Sequence, residues 1–177
     1  MNLLHDVSRG EKFPETINAI IENPYGNHNK YEVDKETGLL MLDRVLYGSN
    51  FYPFNYGYVP QTHWEDGDPI DVAVYATNPL APLCLVEVRP IGVCHMNDSG
   101  DSDDKIIAVP VKDPRFAHVK SFEDLGAFKA DEMKHLFETM NLLQPGKDVK
   151  VTGFGDAAKA LEVLKKSVEL YQKKYGK

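Results

Sequence analysis

The chain is poor in the features that mark several large functional classes. It has two cysteines, Cys84 and Cys94, with no C-x-x-C spacing. That excludes a disulfide framework and a cysteine zinc site and points to a reduced, cytoplasmic setting. No apolar run approaches the ~18 residues of a membrane helix, so no membrane partner is expected. The first fifteen residues lack the apolar core of a signal peptide. Six histidines are scattered without zinc-type spacing and read as surface or capping residues. Positive charge is also short: the net charge is −7 and the pI about 5.3. A general nucleic-acid binder needs a basic surface, and this chain has no surplus for one. Repeats, low-complexity segments and linkers are missing too, so residues 1–177 read as one domain able to bury a core.

What the chain does have is acid in concentrated form. Asp66-Gly67-Asp68-Pro69-Ile70-Asp71-Val72 packs three carboxylates into six residues, beside a Gly and a Pro that fix the backbone. Such crowding is tolerated on a solvated loop or used to hold hard cations, which prefer oxygen ligands. A second acidic loop, with Asp98, Asp101, Asp103 and Asp104 next to Lys105, favours the second use. Neither loop is an EF-hand: in the first, position 6 is Asp71 where a Gly is needed, and position 12 is Thr77 where a Glu is needed. A shared magnesium-type cluster fits better than a structural calcium loop. Whether Asp101 and Asp104 would be ligands or solvated neighbours is open at this level.

The elements around these loops are short. Residues 16–22 alternate weakly, as a first strand does. Lys30-Tyr31-Glu32-Val33-Asp34 alternates strictly, with Lys30 and Glu32 on one face about 7 Å apart by strand rise. Residues 39–46 form its hairpin partner and carry Arg44. Residues 51–58 are the densest aromatic stretch, broken by Pro53 and Gly57. Residues 83–93 form a longer strand in which Pro90 marks an edge or a bulge. Residues 106–109 are a short buried strand and residues 149–151 another. Met133, Leu136, Phe137 and Met140 fall at helical spacing, which predicts a helix over 128–142 ended by Pro145-Gly146. Asp156 is the expected N-cap of a last helix with the apolar stripe Ala160, Leu161, Leu164, Val168 and Tyr171. Many strands followed by two helices make an α+β pattern: a small antiparallel barrel with the helices packed outside.

Lys30, Arg44 and Lys105 sit where a phosphate would need cations, although each alone reads more readily as a surface charge or ion-pair partner. Carboxylate-held Mg²⁺ lowers the pKa of a bound water and clamps the oxygens of a phosphoryl displacement. Cationic side chains then neutralise charge on the phosphates.

Over nearly its full length the chain resembles the prokaryotic type of family I soluble inorganic pyrophosphatase. The motif D-x-D-P-x-D-V stands at Asp66 to Val72. Around it lie Lys30-Tyr31-Glu32, Asp43-Arg44, Phe51-Tyr52-Pro53, Asn55-Tyr56-Gly57-Tyr58, Arg89-Pro90-Ile91-Gly92, and Asp98 through Asp103-Asp104-Lys105. The resemblance implies a closed OB-type barrel of five strands, several Mg²⁺ per site, hydrolysis of pyrophosphate to two orthophosphates, and a homohexamer. By matching position, Asp66, Asp71 and Asp103 would hold the tightest metal, Asp71 would bridge to a second, and Asp98 with Asp103 would hold a third. Asp68 would be the general base on a metal-activated water. Lys30, Arg44 and Tyr56 would contact phosphate with Lys105 close by, and Glu22 and Glu32 would support the cleft.

One departure stands out. The family's usual Tyr-Lys pair at the end of the first late helix is Met140-Asn141 here. Met140 continues the helix's apolar face, but two phosphate contacts are left unmade, each worth roughly 1.5–3 kcal/mol. This opens the alternative of a diverged member with weakened or altered phosphoanhydride specificity, in which Met140→Tyr with Asn141→Lys would raise catalytic efficiency. Phe154 stands where a Trp is common and is expected to be neutral. A non-catalytic OB-type module, stacking bases on residues 51–58, is a further alternative, as is a catalytically silent metal-binding subunit.

Overall fold

The computed structural model of the chain describes residues 2–146 and 148–176. A one-turn helix, α1 (Leu3–Asp6), precedes β1 (Ile17–Asn23). The strands β2 (Asn29–Val33) and β3 (Leu40–Val45) form a separate antiparallel ribbon in which Lys30 lies opposite Arg44. Then come β4 (Asn55–Tyr58), β5 (Asp71–Val74), β6 (Leu85–Asp98), β7 (Asp101–Ser102) and β8 (Lys105–Pro110). The chain closes with α2 (Phe128–Thr139), β9 (Val149–Asp156) and α3 (Ala157–Tyr175).

The sheet runs β1-β4-β5-β8-β6, and β1 also pairs with β6, so the pairings return to where they start. The ring is not wholly antiparallel as the sequence pattern suggested. β5 and β8 run parallel, with Asp71 opposite Lys105. Parallel neighbours need a long crossover, and the long strand β6 lies within the one that joins them. Where β4 crosses β1, only a glycine fits: a Cβ on Gly57 would stand 1.9 Å from the Ile20 carbonyl oxygen.

Both faces of the sheet are covered. Alternation along β5 and β8 sends Ala73, Ile107 and Val109 into a core shared with Met133, Leu136 and Phe137 of α2. Val72, Val74, Ile106 and Ala108 enter a second core with Ala160, Val163 and Leu164 of α3. This two-sided burial explains why residues 106–109 read as one continuous apolar run.

Several boundaries differ from expectation for local reasons. β6 continues to Asp98 and β9 to Asp156 because each pairs with the other past residues that read as loop. Pro90 sits at a bulge against β8, which frees the strand from a donor that proline lacks. α2 stops at Thr139, and the chain turns tightly through Leu142 N–H to Thr139 O (3.0 Å). Asp156 does cap α3, accepting from the Lys159 amide at 2.9 Å. Val163 and Ser167 join the buried stripe of α3, while Leu161 lies at its margin. The described residues thus contain three α-helices, since α1 forms in what read as an irregular lead-in. It is held by His5 Nδ1, 2.6 Å from the Tyr171 hydroxyl on α3.

Candidate active site

The acidic turn joins β4 to β5 and is pinned from below. Buried Trp64 donates its amide to Asp68 O (2.7 Å) and accepts from Gly67 N–H (3.1 Å). Gly67 takes φ +97°, a conformation side chains resist. The Ile70 amide donates to the buried Thr62 hydroxyl at 3.1 Å. The turn therefore presents Asp66 and Asp68 at an exposed lip while Asp71 starts β5 inside. Across from it, the β6–β7 hairpin carries Asp98 and Asp101. Asp103, whose amide donates to Met96 O at 2.9 Å, leads into β8. The parallel pairing of β5 with β8 brings the two acidic loops side by side, and the Asp103 carboxyl faces that of Asp66.

The two loops, the β2–β3 ribbon and the end of α2 enclose a cleft of about 800 Å³. All eleven residues singled out from sequence line it: Glu22, Lys30, Glu32, Arg44, Tyr56, Asp66, Asp68, Asp71, Asp98, Asp103 and Lys105. Asp101 lines it as well. Asp104 does not: its carboxylate accepts from the Met96 amide (3.4 Å) and lies 2.9 Å from His95 Nδ1 on β6.

At the base of the cleft, the Lys105 ammonium pairs with Asp71 (2.6 Å) and with Asp103. Burial pulls the Lys105 pKa down, but the two carboxylates outweigh it and leave it raised, so the side chain stays charged. The Tyr56 hydroxyl donates to Asp71 Oδ2 at 2.7 Å. Even so, desolvation holds the Asp71 carboxyl above its ordinary range. Burial pushes Glu22 up to about 8, although its carboxylate accepts the Val33 amide at 2.8 Å. Desolvation within the cleft, reinforced by Asp103, pushes Asp66 up to about 7. Nearer the mouth, Lys30 pairs with Glu32 and lies 3.5 Å from Asp43, and Lys35 pairs with Asp68. Among the described residues, no three carboxyl, imidazole or thiol groups stand close enough to hold an ion as they lie.

The sequence reading assigned no role in the site to three further cleft residues, Lys35, Tyr52 and Asn141. Lys35 contacts Asp68 across 33 positions of sequence. Tyr52 is fully buried in the cleft wall, and its hydroxyl finds no hydrogen-bond partner among the described residues. Asn141 accepts from Arg44 Nη2 at 3.1 Å. The Phe51-Tyr52-Pro53 motif was the one available signal for Tyr52. The rest of the aromatic stretch is equally buried: Tyr52, Phe54, Tyr56 and Tyr58 face inward, and within residues 51–58 only Phe51 is exposed. Base stacking needs open ring faces, so this stretch offers no platform for a strand of nucleic acid.

The model of the family "Inorganic pyrophosphatase" matches residues 19–172. An inorganic pyrophosphatase of Haloferax volcanii is 38% identical over 99% of each chain. One from Saccharolobus solfataricus is 44% identical over 94% of this chain and 97% of its own. The crystal structure of the inorganic pyrophosphatase from Thermus thermophilus superposes with a TM-score of 0.93 at 42% identity, covering 97% of this chain and 99% of that one. With its acidic motif and phosphate-type cations gathered in one cleft, the chain belongs to the family I soluble inorganic pyrophosphatases.

Proposed function

We propose that this chain hydrolyses inorganic pyrophosphate to two orthophosphates in the cleft between the two acidic loops, with Mg²⁺ as cofactor and Asp68 as general base. The observation that carries the reading is the composition of that cleft. Ten carboxylate side chains line it against four cationic ones, Lys30, Lys35, Arg44 and Lys105. So acidic a pocket repels a pyrophosphate anion unless hard cations enter with it. Its donor set is oxygen throughout the acidic wall, which fits Mg²⁺. Asp66, Asp71, Asp98 and Asp103 are the residues we assign to hold it. When bound, Mg²⁺ lowers the pKa of water and neutralises phosphoryl charge.

The chain's own groups divide the remaining work. Asp68, on the exposed lip, accepts the proton of the attacking water. The water oxygen bonds to one phosphorus, the bridging P–O bond breaks, and orthophosphate leaves. Lys30 and Arg44 hold phosphoryl oxygens, and Tyr56 joins them from the wall. Lys105 keeps Asp71 and Asp103 together at the base. Glu22 and Glu32 support the floor and ribbon sides.

The ring of pairings reads as a closed OB-type barrel, and the setting as cytoplasmic. Exposed apolar side chains on and after β3, among them Met41, Leu42, Val45 and Tyr47, support burial against further copies in a homohexamer. Orthophosphate release from magnesium pyrophosphate, run beside ATP, tests the reading. We expect two orthophosphates per pyrophosphate and little release from ATP. Absence of turnover on pyrophosphate would overturn it.

A further inference from the structure

We infer that Asn141 is a positioning residue for Arg44: its neutral amide anchors one terminal nitrogen of the guanidinium beside the cleft, while the Asp43 carboxylate pairs with the other. The inference deepens the pyrophosphatase reading and rests on it.

Arg44 lies on β3 and Asn141 follows α2, 97 positions away, yet Arg44 Nη2 donates to Asn141 Oδ1 at 3.1 Å. Nη1 pairs with the neighbouring Asp43, and Nε is buried with no hydrogen-bond partner among the described residues. The guanidinium is thus fixed at both terminal nitrogens, one by a carboxylate and one by a neutral amide. The amide is itself well placed. Met140 is buried in the core that contains Tyr52, Tyr56 and Phe137. Its amide donates to Leu136 O at 2.7 Å, and the Asn141 carbonyl accepts from Gln144 N–H at 2.8 Å. Thr139, just before, accepts from Asn50 Nδ2 at 2.8 Å. The end of α2 is therefore a firm base from which Asn141 reaches the ribbon.

Residue type matters here. The cleft is crowded with carboxylates, and an unrestrained guanidinium would be drawn onto them and kept from the substrate. A carboxylate at position 141 would be the second on this guanidinium, after Asp43, and would oppose an incoming phosphate. A lysine has no acceptor and cannot replace this hydrogen bond. An amide supplies the acceptor alone. Position 141 therefore holds a contact to Arg44 in this chain, in addition to standing where a phosphate-contacting lysine is expected from the resemblance.

The test is a double-mutant cycle on the full-length protein. Asn141→Ala is expected to raise the KM for magnesium pyrophosphate about 10-fold with kcat within about threefold, the scale of one hydrogen bond to a charged group. In the Arg44→Ala background the same substitution should change KM by less than about twofold, because its effect runs through the arginine. The proposal is overturned if Asn141→Ala leaves KM unchanged, or if the Asn141→Ala effect persists in full without Arg44. Calorimetric binding of imidodiphosphate, which is not hydrolysed, reads the same cycle without turnover. A parent protein inactive on pyrophosphate would sink the proposed function, while coupling or its absence in analogue binding would still decide the role of Asn141.

Discussion

Asp71 and Lys105 face each other across the parallel strands β5 and β8, with Lys105 Nζ 2.6 Å from Asp71 Oδ2. Lys105 is almost fully buried and also pairs with Asp103, so one ammonium compensates two carboxylates at the base of the cleft. Removing one partner of a buried pair leaves an uncompensated charge, at a cost of roughly 3–5 kcal/mol. Lys105→Met should therefore lower the Tm of the metal-free protein by about 10 °C. Added Mg²⁺ should recover part of that loss, since it would replace the missing positive charge. Thermal melts with and without Mg²⁺ check both parts.

Glu22 makes the opposite kind of contribution. Its folded pKa, raised to about 8 by burial, lies above the ordinary 4.5. The folded state then binds a proton that the unfolded state has released. Its stabilising effect is complete below pH 4.5 and is lost as pH rises to about 8. Within that window stability should fall by up to about 1.4 kcal/mol per pH unit. Glu22→Gln, neutral throughout, should flatten the profile. Urea denaturation of metal-free protein between pH 5 and pH 9 measures it.

Tyr52 and Tyr56 stack in one wall, with ring centroids 5.5 Å apart, yet their hydroxyls differ. Tyr56 donates to Asp71 at 2.7 Å, whereas the buried Tyr52 hydroxyl has no hydrogen-bond partner among the described residues. Tyr56→Phe should cost about 1 kcal/mol of stability. Tyr52→Phe should cost none, or add a little, because it removes a buried polar atom without a bond. If Tyr52 serves substrate, its removal should appear in KM instead. Paired denaturation and steady-state kinetics separate the two.

Gly57 tests the fold. A Cβ there meets the Ile20 carbonyl at 1.9 Å, and backbone cannot yield as a flexible side chain would. Gly57→Ala should separate β1 from β4 and destabilise by more than about 4 kcal/mol. Loss of soluble expression, or a sharply lowered urea midpoint, is the expected outcome.

How far this could be read from sequence depended on the range of each interaction. The alternation of Tyr31 and Val33, the Asp156 cap and the proline bulge at Pro90 are local, and their residues announce them. The eleven residues that share the cleft could be named because all but Glu22 stand in short motifs. The parallel pairing of β5 with β8 was not, since nothing near Asp71 states that Lys105, 34 positions on, lies beside it. Lys35 reads as an ordinary turn lysine until the fold sets it against Asp68. Asn141 reads, in sequence, as a gap in the phosphate ligands, because its partner Arg44 is 97 positions away. The long course of β6 and β9 was hidden for the same reason: each continues on the strength of the other.

The central claim is that Asp68 on the acidic turn takes the proton in pyrophosphate hydrolysis. Its most direct test is orthophosphate release from magnesium pyrophosphate by the parent protein and by Asp68→Asn, with imidodiphosphate affinity measured alongside. The account predicts a fall in kcat of about 10²–10⁴-fold, the usual contribution of a general base, with analogue affinity nearly unchanged. Equal turnover by Asp68→Asn would contradict it.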